Sequence, residues 1–325
     1  MDLKAWFKEE AKFGLMIHWG LYSLLGGEYR GKRMDEIAEW AQAFFRIPNA
    51  EYSQLAKAFN PLYFNAEEWV DIAISAGMKY IVFTSKHHEG FAMYKSDVSQ
   101  YNIVDATPFG RDVTAELAEA CYKKGIKFGL YYSQDQDWAH PHGGGYTVGK
   151  TWCNGKGYWT NNWDFPDDEH KDYSICFEEK IKPQVKEILT KYGDLCLIWF
   201  DNPLTLSPKQ TDELYAMVKK YQPNCLVNSR IGNGYGDYTS AGDNQIISND
   251  TKGALFETPA TLNDTWGFKY FDDNWKSAEK VISTKEHLNG LGANYLLNVG
   301  PDWLGRFPKP AIDILKEVGQ RSARF

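Results

Sequence analysis

The sequence predicts an α/β fold, a single (β/α)8-like TIM barrel over residues 1–325. Three observations predict it: a helix-then-strand unit that recurs along the chain, short joints between the units, and a polar group just past almost every strand. Helix–strand repeats with short joints are the signature of a parallel sheet. About eight strands can be counted, the number at which such a sheet closes on itself.

The first strand is FGLMIH (13–18). In the first full unit, Asn65 and Glu68 form a capping-box pattern and Trp69, Ile72, Ala73 and Ala76 recur at helical spacing; Gly77 ends the helix, and a β-rich run from Lys79 to Ser85 leads to His87 and His88. The second has Val113, Leu117 and Cys121 on one face, Gly125 as stop, and a strand from Lys127 to Ser133 that ends at Gln134 and Asp135. The third runs through Val185, Ile188, Leu189 and Gly193 to the strand Cys196 to Phe200, which ends at Asp201. A fourth goes from Pro208 through Leu214 and Val218 to NCLVNSR and Arg230, and a last one from Trp275 to ANYLLNVGP and Asn298. Weaker strand candidates lie near Gln245 to Ser248 and Ala254 to Glu257. Residues 231–274 are rich in Gly and Asn without a clear helix, so the later part of the barrel is expected to be irregular. A doubly wound open sheet is the alternative, but no glycine-rich phosphate fingerprint follows the first strand.

Composition excludes several functions. A net charge of −7 with only short Lys/Arg runs leaves no electrostatic footprint for nucleic acid or an anionic membrane. The N-terminal MDLKAWFKEEAKFG lacks an apolar signal core, and no apolar run approaches a membrane span, so a cytoplasmic protein is expected. The five cysteines are scattered without a CxxC pair and read as reduced packing residues. The 12 tryptophans and 20 tyrosines, many beside Gly, Asn and Asp, suit the flat apolar faces and hydroxyls of sugars, although large barrels also use aromatics at loop bases.

In a barrel the residues past the strand ends converge on one face. His18, His87, His88, Asp135, Asp201, Arg230, Glu257 and Asn298 are all expected there. Two carboxylates facing one cavity can cleave a glycosidic bond. Asp201, at the end of a buried strand, suits the nucleophile, and Glu257, between Phe256 and Trp266, suits an acid whose pKa is raised by apolar surroundings. A rival is a metal-dependent hydrolase using His18, His87 and His88, although adjacent histidines on an extended segment point to opposite sides. A non-catalytic sugar-binding barrel is a third reading.

The motifs FGLMIHWGLYS, AEW (38–40), KHHEGFAMYKS, TPFGRDV, KFGLYYS, LIWFDN, FETPATLNDTWGF and NYLLNVGPDWLGR, in this order from residue 13 to about 307, resemble the retaining α-L-fucosidase family of glycoside hydrolases. The resemblance implies Asp201 as the nucleophile that forms a covalent fucosyl-enzyme, and His18, His87 and His88 as binders of fucose hydroxyls. Trp40, Tyr132, Trp199, Arg230 and Trp266 match further pocket positions. Glu257 resembles the general acid/base of one branch, with Asp243 and Asp237 as the fallback positions. The implied substrate is a fucosylated oligosaccharide, leaning to α-1,6-linked fucose on N-acetylglucosamine, with no cofactor and no metal. Family members often carry a C-terminal β-sandwich that this sequence lacks, so a catalytic barrel alone is expected, its bared surface open to a homo-oligomer, with Trp138, Tyr158, Trp159 and Trp163 as candidates for the leaving-group subsite.

Overall fold

A computed structural model of the chain describes residues 2–146 and 159–322. Eight parallel strands form one sheet: β1 (Phe13–Ile17), β2 (Tyr80–Lys86), β3 (Lys127–Tyr132), β4 (Leu197–Phe200), β5 (Leu226–Val227), β6 (Thr239–Ser240), β7 (Phe256–Thr261) and β8 (Ala293–Val299). In space the order is β5-β4-β3-β2-β1-β8-β7-β6, which is cyclic in sequence. The two end strands meet at the parallel bridge of Asn228 with Tyr238, where the Ser229 amide donates to the Tyr238 carbonyl at 2.8 Å and the Asp237 amide donates to the Val227 carbonyl at 2.6 Å. The expected (β/α)8-like barrel is present, drawn nearly shut at its weakest seam.

Helices α1 (Leu3–Glu9), α2 (Ala66–Ser75), α3 (Val113–Lys124), α4 (Lys182–Lys191), α5 (Pro208–Tyr221), α6 (Ala278–Gly290) and α7 (Lys309–Ser322) account for the outer layer and one end. Half of the expected capping box is present, the Asn65 side chain accepting from the Glu68 amide without a return bond from Glu68, and Gly125 ends α3 in the left-handed conformation that glycine adopts without steric cost. Among the described residues no α-helix lies between β5 and β6, where there is only the short 3-10 turn Ser229–Ile231, or between β6 and β7, as the Gly- and Asn-rich composition foretells. The strand expected at Gln245 to Ser248 is absent; that segment is an irregular loop, and the sheet there is the two-residue β6.

The longer strands send alternate side chains to two different cores. Leu15, Ile17, Phe83, Leu130 and Leu297 face the helices, whereas Met16, Val82, Tyr131, Trp199 and Leu296 fill the barrel. Helix α1 plugs the end where the strands begin, with Trp6 against Tyr80 (5.9 Å) and Phe7 against Tyr238 (4.6 Å) between ring centroids. Four cysteines, Cys121, Cys176, Cys196 and Cys225, are buried and unpaired; Cys153 lies outside the described residues. Among the described residues no helix is long and apolar enough to cross a membrane.

Candidate active site

Where the strands end, a cavity of about 120 Å³ is lined by His18, Ile37, Glu39, Trp40, His87, Trp159, Trp199, Asp201, Asn202, Arg230, Asp243 and Trp266. That is well below the roughly 300–1,000 Å³ of a drug-sized pocket, so it suits one small ring.

Asp201 follows β4 directly and is 8% exposed. Its side chain does not cap the turn: Asn202 takes a left-handed φ of 49°, which asparagine tolerates, and bends the chain away. Both carboxylate oxygens are engaged. Oδ1 accepts from Arg230 Nη1 at 2.9 Å and Oδ2 from the Tyr131 hydroxyl at 3.0 Å, with His88 Nε2 3.7 Å from Oδ2. Burial pushes the Asp201 carboxyl above the ordinary aspartate range, and the Arg230 guanidinium pulls it back. The same guanidinium donates through Nη2 to Asp243 Oδ1 at 2.6 Å and lies 4.6 Å above the Trp199 ring. Asp243 sits at the mouth with its side chain 52% exposed. Its neighbour Asn244 ties the loop to β7, accepting from the Thr261 amide at 2.9 Å.

The histidines are held neutral. His18 Nδ1 donates to Asn298 Oδ1 (2.7 Å), whose amide donates to the Trp266 carbonyl (2.7 Å), so Nε2 is left as an acceptor. Burial first, and His87 second, push His18 down to about 3; burial and then Lys86 push His87 down to about 3. His88 packs edge-on to Trp40 at 5.2 Å and shares its Nδ1 with Ser133 Oγ at 2.7 Å. Among the described residues no group of His, Cys, Asp and Glu side chains converges as a metal-ligand set, which the metal-hydrolase reading would require.

Four expectations change. Tyr132 does not face the pocket: it points to the helical layer, where its hydroxyl donates to Gln184 at 2.9 Å, and its neighbour Tyr131 takes the inward place by strand alternation. Glu257 does not follow its strand; as the second residue of β7 it is fully buried inside the barrel, beneath the cavity floor. Asp237 lies at the opposite end, near β5, paired with Lys219 (2.6 Å) and Lys4 (3.3 Å). Asp135 plays the turn-holding part, accepting from the amides of Gly145, Thr205 and Leu206. Of the loop aromatics Trp159 lines the cavity, Trp138 is buried behind Trp40, Trp163 is anchored on the Ile47 carbonyl, and Tyr158 lies outside the described residues.

Sequence reasoning missed Glu39. It lines the cavity almost fully buried, accepts from the Gly267 amide at 2.8 Å, and is pushed up to about 7 by burial. A glutamate beside Trp40 in the AEW motif was the available signal.

A profile described as Alpha-L-fucosidase matches residues 1–322. Among solved structures, alpha-L-fucosidase AlfC from Lactobacillus casei in complex with alpha-L-fucose product is 54% identical, each chain covered over 100%, with a TM-score of 0.92. A variant of AlfC in complex with Fuca(1,6)GlcNAc is 53% identical over 99% of each chain, with a TM-score of 0.90. Tissue alpha-L-fucosidase of Homo sapiens is 29% identical over 92% of this chain and 63% of its own. The chain thus spans under two thirds of that relative, and 64% of the similar enzyme from Rattus norvegicus. With the motif order, the barrel and the profile in agreement, the chain belongs to the α-L-fucosidase family.

Proposed function

We infer that the protein is a retaining exo-α-L-fucosidase that removes a terminal L-fucosyl group from an oligosaccharide, with Asp201 as nucleophile and Asp243 as general acid/base. The observation that carries this reading is the Arg230 guanidinium, which holds both carboxylates on one small, blind, aromatic-walled cavity. Asp201 is the rigid, inner one and Asp243 the exposed, outer one, where a leaving group departs. Asp243 replaces Glu257 as the acid/base because Glu257 has no wall on the cavity. Asp201 attacks the anomeric carbon as its bond to the leaving oxygen breaks, and that oxygen takes the proton of Asp243. Water then gives a proton to Asp243 and attacks the same carbon, releasing Asp201 and fucose with retained configuration.

Neutral His18 and His87, Glu39 and the indoles of Trp40 and Trp266 supply donors, acceptors and apolar faces for the sugar. Preference for α-1,6-linked fucose on N-acetylglucosamine is supported by the complex of the AlfC variant with Fuca(1,6)GlcNAc.

The test is nitrophenol release from an aryl α-L-fucoside by the wild type and Asp201→Gly, with and without azide. Loss of several orders of magnitude in kcat, with rescue as β-fucosyl azide, supports the assignment. Undiminished turnover by Asp201→Gly would refute it. The linkage preference fails if Fuca(1,6)GlcNAc is cleaved no faster than α-1,2- or α-1,3-linked disaccharides.

A further inference from the structure

Glu257 is a fully buried acid that the proposed reaction does not use. Burying a carboxyl is costly unless its oxygens are satisfied, and here each has its own donor. Oε1 accepts from the indole Nε1–H of Trp199 at 2.9 Å, and Oε2 from the Tyr80 hydroxyl at 2.6 Å. The room for the phenol is made by Gly14 on β1, where any Cβ would overlap the Tyr80 ring. Burial pushes Glu257 up to about 7, with Tyr80 and Trp199 pulling the other way.

The indole that Glu257 grips touches both groups that hold the nucleophile. One contact is the Arg230 guanidinium over its face at 4.6 Å; another is the Tyr131 ring, stacked at 5.6 Å and 19°. Arg230 and Tyr131 donate to different oxygens of Asp201. A bond at the indole edge fixes the ring plane, and the ring plane fixes where both donors sit.

We propose that Glu257 is a positioning residue for the nucleophile: from inside the barrel it locks the Trp199 indole, and the indole sets Arg230 and Tyr131 on Asp201. This rests on the assignment of Asp201 and removes Glu257 from acid/base duty. Displacement of reacting groups by about 1 Å can cost on the order of a hundredfold in rate.

The experiment measures kcat and KM of Glu257→Leu, Glu257→Gln and Trp199→Phe on two aryl α-L-fucosides, one with a good and one with a poor leaving group, each with azide, alongside thermal melting. The expected result for Glu257→Leu is about a hundredfold loss in kcat by the same factor on both substrates, unrescued by azide. Glu257→Gln should recover most of that loss, because its amide can accept from Trp199 and donate to Tyr80. Trp199→Phe should match Glu257→Leu, and the double variant should lose little more, since neighbours acting as a unit are non-additive. The proposal is overturned if Glu257→Gln is as slow as Glu257→Leu, hit hardest on the poor leaving group and rescued by azide, for then Glu257 is the acid/base. It is equally overturned if folded Glu257→Leu turns over like the wild type. A wild type inert on fucosides sinks the reaction reading instead. The link is then decided by the indole N–H resonance of 15N-tryptophan protein, assigned with Trp199→Phe: it moves upfield in Glu257→Leu if the bond exists, and an unmoved resonance refutes the lock.

Discussion

The Tyr131 hydroxyl donates to Asp201 Oδ2 at 3.0 Å, while Tyr132, the next residue, turns its hydroxyl away to Gln184. Two adjacent tyrosines therefore have opposite consequences. A hydrogen bond to a charged group is worth about 1.5–3 kcal/mol, so Tyr131→Phe should cost roughly 10- to 100-fold in kcat/KM on an aryl α-L-fucoside. Tyr132→Phe should leave kcat/KM within about twofold and lower stability by about 1 kcal/mol in denaturant unfolding. Equal kinetic losses in both would contradict the alternation seen in β3.

Asp243→Ala separates the outer carboxylate from the inner one. General acid help is worth about 10²–10⁴-fold and is needed most when the leaving group is poor. The variant should lose that much on a poor leaving group but far less on an activated aryl fucoside, whose leaving group departs without a proton. A uniform loss across leaving groups would instead mean that Asp243 only restrains Arg230 through its 2.6 Å bond.

What was legible in the sequence follows from how far each signal extends. β2, β3, β4 and β8 announce themselves as β-rich runs behind an amphipathic helix; His87 and His88 lie past the end of β2 and Asp201 past the end of β4, while His18 follows the short apolar run of β1. Thr239–Ser240 is too short to show any period, so the sequence points instead to Gln245–Ser248, a few residues later. FETPAT mixes proline and threonines, and its strand begins at Phe256, near the end of the strand the sequence predicts at Ala254 to Glu257. An error of one strand length carries Glu257 from the catalytic face to the barrel interior. The resemblance points to Tyr132, but its neighbour Tyr131 is chemically identical, and the register of β3 against β2 and β4 decides that Tyr131 turns inward. Asp243 sits on an irregular loop, where position is set by Asn244 and Arg230 and by nothing periodic.

Stability should fall as pH rises from about 6.5 to 8. Burial pushes Glu39 and Glu257 up to about 7 and Glu89 up to about 8, so in this window the folded chain binds more protons than the unfolded one. Stability then declines with pH, by the sign of proton linkage. His18 and His87, pushed down to about 3, act oppositely but only below the unfolded histidine pKa of about 6.5, as pH falls. Differential scanning calorimetry between pH 6.5 and 8 should show Tm dropping, and Glu89→Gln should flatten the slope. A Tm that climbs through this window would contradict the buried-acid account.

Behind the two adjacent histidines, Asp137 is gripped by two ammonium groups, Lys86 at 3.0 Å and Lys180 at 2.7 Å, all three nearly or wholly buried. Burial alone would raise the Asp137 carboxyl, but Lys180 and Lys86 hold it below the ordinary aspartate range. Lys86 immediately precedes His87, and the amide of Trp138, next to Asp137, donates to the His88 carbonyl at 2.7 Å. The triad thus clamps the loop that presents both histidines. Removing one partner of a buried pair costs about 3–5 kcal/mol, because the remaining charge is left without compensation. Asp137→Ala leaves two buried ammonium groups facing each other, so it should destabilise by that much and raise KM for fucosides as the His88–Trp40 packing loosens. Asp137→Ala, Lys86→Met and Lys180→Met combined should regain stability over Asp137→Ala alone in urea unfolding. If the triple variant is no more stable than the single one, the clamp is packing and not charge.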